Sequence, residues 1–311
     1  MMNRTSVLAL LLATTLPGAS IAQPGGSFTV AETGERFQRL QEAVSAIAGG
    51  DGTIRIAPGR YAECAVQEAG RIAFMAEQPG TAVFEGTMCE GKGALVLRGA
   101  ASHVEGLVFR NMSVSDGNGA GIRIEKGDLT VAYTTFADGQ CGILSAADPA
   151  STISVDHSTF SGLGKHPDGT GAHSLYIGEY GALKVTNTRF ERGTGGHYVK
   201  TRAPRLEVTG SSFDDSRGRT TNYMIDISAG AVGRIAGNTF VQGAAKENYS
   251  TMIAVAPEGT HNRSAGLIVE NNVASLAPGA NPTVFVGDWS GEGITIRGNR
   301  LGNGIETFGR R

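Results

Sequence analysis

Aromatic residues are scarce in this chain: Phe, Tyr and Trp make up 6% of its 311 residues, and Trp289 is the sole tryptophan. A sugar-binding module built on exposed aromatic platforms is therefore poorly supplied. Only three cysteines occur, Cys64, Cys89 and Cys141, and no CxxC pair, so a cysteine-based zinc site is not expected. No charge of one sign dominates, with 27 Lys and Arg against 29 Asp and Glu. Without a basic stripe or basic-aromatic interleaving, nucleic acid is excluded as the expected partner.

Long apolar runs are missing after the first residues. At the start, Arg4 precedes the short apolar run Val7 to Leu16, and Ser20-Ile21-Ala22 has the small-x-small form of a cleavage site. The run is too short to span a bilayer as a helix. Residues 1–22 read as a secretory signal peptide, and 23–311 as one domain. The protein is then expected to be exported, periplasmic or extracellular, with no membrane association after cleavage and a monomeric state. In an oxidising compartment Cys64 and Cys89 are disulfide candidates, the alternative being three buried thiols.

What is abundant is repetition. From Ser102 onward, two apolar residues two apart are followed by a third five later: Leu129-Val131-Phe136, Ile153-Val155-Phe160, Leu183-Val185-Phe190, Leu206-Val208-Phe213 and Ile294-Ile296-Leu301. Looser copies place Val104 with Phe109, Ile235 with Phe240 and Ile268 with Val273. Period-2 strands recurring at this interval predict a solenoid, in which each turn buries its face on its neighbours. Two residues before the later Phe-type positions stand Thr134, Ser158, Thr188, Ser211, Asn238, Asn271 and Asn299. Stacked at one corner, these small polar residues can hydrogen-bond along a ladder and tolerate a tight bend.

Taken with the repeat length, this pattern resembles the right-handed parallel β-helix of the pectate-lyase-like superfamily. The resemblance implies an all-β, single-stranded right-handed parallel β-helix (solenoid). Phe37, Leu40, Val44 and Ile47 have helical spacing and predict an N-terminal amphipathic capping helix, which would cover the open end. Residues 50–61 then read as turn, strand and turn.

The resemblance also implies a polysaccharide groove along the strands centred on Ile122, Ile143, Leu175, Val199, Ile225, Ile253 and Val284. The 161–172 loop, with Lys165, His166 and Asp168 at its tip, is the longest before such a strand among the early turns. Superposing Leu175, Val199 and Ile225 brings Tyr176, Lys200 and Asp226 into one outward file, about 4.8 Å apart. His173, His197 and Tyr223 form a second file two residues earlier, nominally inward but at strand starts, where alternation is weakest. Arg123 shares the outward parity, and Arg202 lies one step beyond Lys200.

Such a set suits β-elimination on an acidic polysaccharide. The reaction needs a cation on the uronate carboxylate, a base for the C5 proton and an acid for the leaving oxygen. The expected catalytic residues are Lys200 or His197 as base, Tyr176 as acid (with His197 the alternative), Arg202 as carboxylate clamp (with Arg205 the alternative) and Asp226 positioning Lys200. His173, Tyr223, Arg205 and Arg123 are expected to bind substrate. Epimerisation at C5 begins with the same step. Hydrolysis usually needs two or three flanking carboxylates, and the file supplies only Asp226. No cofactor is implied; calcium fits the superfamily, but the acidic cluster it would need is absent from these strands. A non-catalytic glycan-binding or structural β-helix is the reading from another class.

Overall fold

The computed structural model describes residues 25–164 and 172–311. The proposed leader and the loop-tip residues Lys165, His166 and Asp168 lie outside the described residues. The rest is a right-handed parallel β-solenoid of about nine turns. Three sheets run along its axis, and every third strand in sequence joins the same sheet. The first sheet has twelve strands, of which Phe28–Val30 and Arg36–Phe37 pair antiparallel at the N-terminal end; the second and third have ten parallel strands each.

The core follows from strand alternation. The second sheet points a phenylalanine inward on successive turns, and Phe84, Phe109, Phe136, Phe160, Phe190, Phe213 and Phe240 form one stack. Ring centroids are 4.7–5.6 Å apart. Opposite them the third sheet must leave room. At Gly142 a Cβ would stand 2.5 Å from the Phe160 ring, so only glycine fits there. The predicted inward pairs face this stack from the first sheet, for example Leu183-Val185 in register with Leu206-Val208.

The corner ladder is present. The backbone N–H of Thr134 donates to Ser158 Oγ, that of Thr188 to Ser211 Oγ, and that of Ser211 to Asn238 Oδ1. One turn departs from the expected register. Asn238 and Asn272 continue the ladder through Asn272 and Asn299, not through Asn271. Correspondingly Val269 and Ala274, rather than Ile268 and Val273, stand opposite Ile235 and Phe240. The reason lies in Asn271-Asn272: Asn271 takes the left-handed corner position (φ 55°), a conformation Asn tolerates, and the ladder residue follows it.

The N-terminal helix spans Leu40–Ile47 and buries Leu40, Ala43 and Val44 against the first turns. Phe37 is not part of it; it lies in the preceding strand. Cys64 and Cys89 are disulfide-bonded, closing the end of the solenoid beside this helix. Cys141 is free and buried, and burial pushes its thiol up to about 11, which keeps it unreactive.

Candidate functional site

The site is carried by the third sheet, on the strands Leu175–Ile177, Val199–Thr201 and Ile225–Ile227. Their register pairs Tyr176 with Lys200 and Lys200 with Asp226, as the superposed segments predict. On these strands Leu175, Val199 and Ile225 face the core, so the residues between them project from the outer face.

Lys200 sits at the centre. Its Nζ donates to Asp226 Oδ2 at 2.7 Å and also to Glu258, and it lies 5.7 Å from the centroid of the Tyr176 ring. The Lys200 side chain is 7% exposed and that of Asp226 2%, whereas Glu258 is 41% exposed. Burial works against the Lys200 ammonium, yet the two carboxylates together hold its pKa above the ordinary lysine value. Lys200 is therefore a fixed cation, a poor candidate for the base that its position in the file suggested. Burial raises the Asp226 carboxyl against the pull of Lys200, and Asp226 Oδ1 has no donor among the described residues.

The second file does not point inward as parity implied. Tyr198 and Met224 take the buried places instead, so the rings of His173, His197 and Tyr223 turn to the outer side. Gly196 makes this possible: it adopts φ 62°, and a Cβ there would stand 1.9 Å from the Ala172 carbonyl oxygen. The chain can therefore pass close enough to set His197 on His173. Their Nδ1 atoms are 3.2 Å apart, and His197 Nε2 is 3.1 Å from Asp226 Oδ2. His173 meets the Tyr176 ring edge-on at 5.2 Å, and His197 meets Tyr223 at 5.5 Å.

Two donors constrain the tautomers. The backbone N–H of His197 donates to His173 Nδ1 at 3.1 Å, so the neutral His173 ring carries its proton on Nε2. With Asp226 ionised beside Lys200, His197 Nε2 donates to Asp226 Oδ2. Burial drives His197 well below the normal histidine range, and burial with the Lys200 charge pushes His173 down to about 3. Both rings are neutral near pH 7.

Arg202 follows the strand of Lys200. Its Nε donates to Tyr176 Oη at 3.3 Å, and its guanidinium pairs with Glu258. Asn262 Nδ2 holds the Arg202 carbonyl oxygen at 3.0 Å. A depression of about 460 Å³ opens beside them, lined by Tyr180, Arg202, His261 and Asn262 among others.

The structure thus brings together Tyr176, Lys200, Asp226, His173, His197, Tyr223 and Arg202. Arg123 lies in the same file but two strands away, beyond Leu144, with Glu125 3.6 Å from its Nε. Arg205 does not join them: it is the exposed first residue of a strand of the first sheet. Trp289 stands nearer than its sequence position suggested, its ring 6.2 Å from that of Tyr223. Val286 and Gly287, rather than Val284 and Phe285, continue the register of Ile253 and Ala254, and Phe285 turns inward onto Phe240.

Glu258 is the residue strand-register reasoning missed. It comes from the turn after Thr251–Val255, two turns of the solenoid beyond Arg202. Its one signal was an acid placed just past a groove strand on the same edge as Arg202. Among the described residues no group of three or more His, Cys, Asp and Glu side chains is arranged to hold a metal ion.

No protein-family model matches this chain, and no curated protein does so either. Solved structures resemble it in fold. The pectin methylesterase of Aspergillus niger aligns with TM-score 0.46 at 10% identity, over 90% of this chain and 88% of that one. ORF18 of Geobacillus virus E2 aligns with TM-score 0.49 at 13% identity, over 87% of this chain and 56% of its own length. The surface protein and adhesin PfbA of Streptococcus pneumoniae aligns with TM-score 0.46 at 11% identity, over 87% and 94%.

Proposed function

We propose that this chain is a carbohydrate-active enzyme that cleaves a uronate-containing polysaccharide by β-elimination. The observation that carries this reading is the chain Asp226–His197–His173 ending in a neutral imidazole beside the Tyr176–Arg202 pair. Arg202 has donors left beyond its bonds to Tyr176 and Glu258, and these neutralise the uronate carboxylate so that the C5 proton becomes acidic. His173 serves as the base in its other tautomer, with its proton moved to Nδ1 and given to His197 Nδ1 in place of the backbone bond; Nε2 then takes the C5 proton, and the resulting imidazolium is stabilised through His197 by Asp226. Tyr176 accepts from Arg202 and keeps its own O–H, which it gives to the leaving oxygen. Lys200 holds Asp226 and Glu258 in place. The approach of an anionic substrate raises the basicity of His173 where the empty site depresses it. An acidic polysaccharide outside the cytoplasm fits the leader expected at residues 1–22. Epimerisation at C5 shares the first step and differs only in returning the proton.

One observation favours hydrolysis as a second reading. Asp226 and Glu258 both touch Lys200 Nζ, so their nearest oxygens are no more than about 5 Å apart, compatible with the close carboxylate spacing of retaining glycosidases. Against it, the Asp226 side chain is 2% exposed and does not reach a sugar. The test is to incubate the protein with a panel of uronate polysaccharides and follow two signals. Ultraviolet absorbance of a conjugated unsaturated uronate, lost in Tyr176→Phe and His173→Gln, is the expected result. New reducing ends without that absorbance, abolished in Glu258→Gln, would replace elimination by hydrolysis. Silence in both across the panel would overturn the two readings together.

A further inference from the structure

A column of left-handed corner residues follows the strands of the second sheet: Gly86, Asn111, Asp138, Gly162 and Arg192. Glycine, asparagine and aspartate are the residues that tolerate this conformation. Arg192, at φ 53°, is the exception, and local backbone preference gives no reason for it. Its side chain is held in one place: Nε donates to Ser161 Oγ at 2.9 Å, and an η nitrogen donates to Asp138 at 3.2 Å. Asp138 is already shared, since Arg110 binds its other oxygen at 3.1 Å.

Arg192 lines two depressions, of about 500 Å³ and 340 Å³, the smaller of which Glu191 and Asp214 line as well. Arg217 lines both with it, and Arg219 lines the larger. Among the described residues no carboxylate pairs with the guanidinium of Arg217 or Arg219; Asp214 feels Arg217 only through space. The loop that presents them is rooted rather than loose. Asp215 and Lys246, each with a 1% exposed side chain, are 3.2 Å apart beneath it. Asp215 also accepts from Tyr198 Oη at 2.7 Å and from Thr221, and its carbonyl oxygen accepts from Gly218 N at 2.8 Å. A buried charge network of this cost has a use if it fixes the loop that carries two unpaired arginines.

We propose that Arg192, Arg217 and Arg219 form a preorganised oxyanion site, separate from the Lys200 centre, for a carboxylate or sulfate group of an acidic glycan. Guanidinium forks suit planar carboxylates and tetrahedral sulfates through paired, charge-assisted hydrogen bonds. Arg219 lies four residues before Tyr223, so at most about 14 Å of extended chain separates the two. A single acidic saccharide segment can engage both. The site rests on the acidic-glycan reading only for the source of the anion, not for its existence.

The test is isothermal titration of the full chain with inorganic sulfate, an oligogalacturonate hexamer and a neutral hexasaccharide, at low ionic strength. The variants are Arg217→Gln/Arg219→Gln, whose exposed side chains leave the fold intact, and Arg55→Gln, an exposed arginine of the first sheet, as the charge control. We expect the oligogalacturonate to bind the native chain, to weaken at least about tenfold in the double variant, and to bind Arg55→Gln as before. Sulfate binding alone, lost in the double variant, supports the oxyanion site while refuting the glycan as its ligand. Anion affinity unchanged in the double variant, equal binding of the neutral sugar, or no anion bound by the native chain overturns the proposal.

Discussion

Replacing Lys200 by Met removes an ammonium and keeps most of the side-chain volume, so the loss it causes is electrostatic. Of the two carboxylates released, Glu258 is 41% exposed and keeps Arg202, and it can turn to water. Asp226 has no such escape, with its side chain 2% exposed and Oδ1 without a donor among the described residues. Removing one partner of a buried pair costs about 3–5 kcal/mol. A buried carboxyl that loses its cation favours the protonated form, so Asp226 in the variant should titrate well above its native value. The sign follows from a carboxyl whose folded pKa is raised above its unfolded value. Stability is fully present below the unfolded pKa, near 4, falls by about 1.4 kcal/mol per pH unit above it, and levels off past the folded pKa. Native Asp226 is shifted in the same direction but less, because Lys200 opposes it. Urea midpoints of native and Lys200→Met protein, measured at pH 4 and pH 7.5, should nearly coincide at the lower pH and separate at the higher. Adding Asp226→Asn should remove the pH dependence. A deficit of the same size at both pH values would mean lost packing rather than an orphaned charge, and would refute the reasoning.

The neutral imidazoles set a second expectation: kcat/KM on an eliminated substrate should show no limb near pH 6.5, because His173 and His197 are held unprotonated in the free protein. A limb there that disappears in His173→Gln would contradict the burial argument. Phe190→Ala removes a ring stacked between Phe160 and Phe213 at 4.8 and 4.9 Å. Denaturant titration should show a loss of about 3–5 kcal/mol; a loss below about 1 kcal/mol would mean the stack closes over the gap. The Cys64–Cys89 bridge spans 25 residues, and the chain-entropy argument gives it about 3–4 kcal/mol. Cys64→Ser/Cys89→Ser should therefore unfold at lower denaturant than the native chain, while a reductant should leave the midpoint of the double variant unchanged.

The solenoid was legible because its signal is redundant. The Phe positions, the inward pairs and the small polar corner residues each repeat, so an error on one turn leaves the others intact. That error came where redundancy failed. At Leu267-Ile268-Val269 three apolar residues in succession hide the alternation, and Ala274 is too small to announce a place held by Phe on the turns before it. The helix boundary at Phe37 failed for a related reason, since helical spacing of apolar residues also occurs where a two-residue strand precedes a short helix.

The file of Tyr176, Lys200 and Asp226 was readable because parallel strands turn sequence register into spatial register. Its chemistry was less readable, because protonation depends on neighbours that register does not supply. Glu258 arrives from a turn, and it changes Lys200 from a candidate base into a cation bound on two sides. The histidines reach the outer face because Gly196 lets one stretch of backbone pass against another, a contact that strand parity does not encode. Arg205 shows the converse: three residues past Arg202, it has already turned the corner into the first sheet. In a solenoid, position along a strand is therefore strong evidence for a side chain's place, whereas position within a turn is weak. The groups that decide between elimination and hydrolysis come from both, with Tyr176 in the middle of one strand, His173 just before it and Glu258 in a turn.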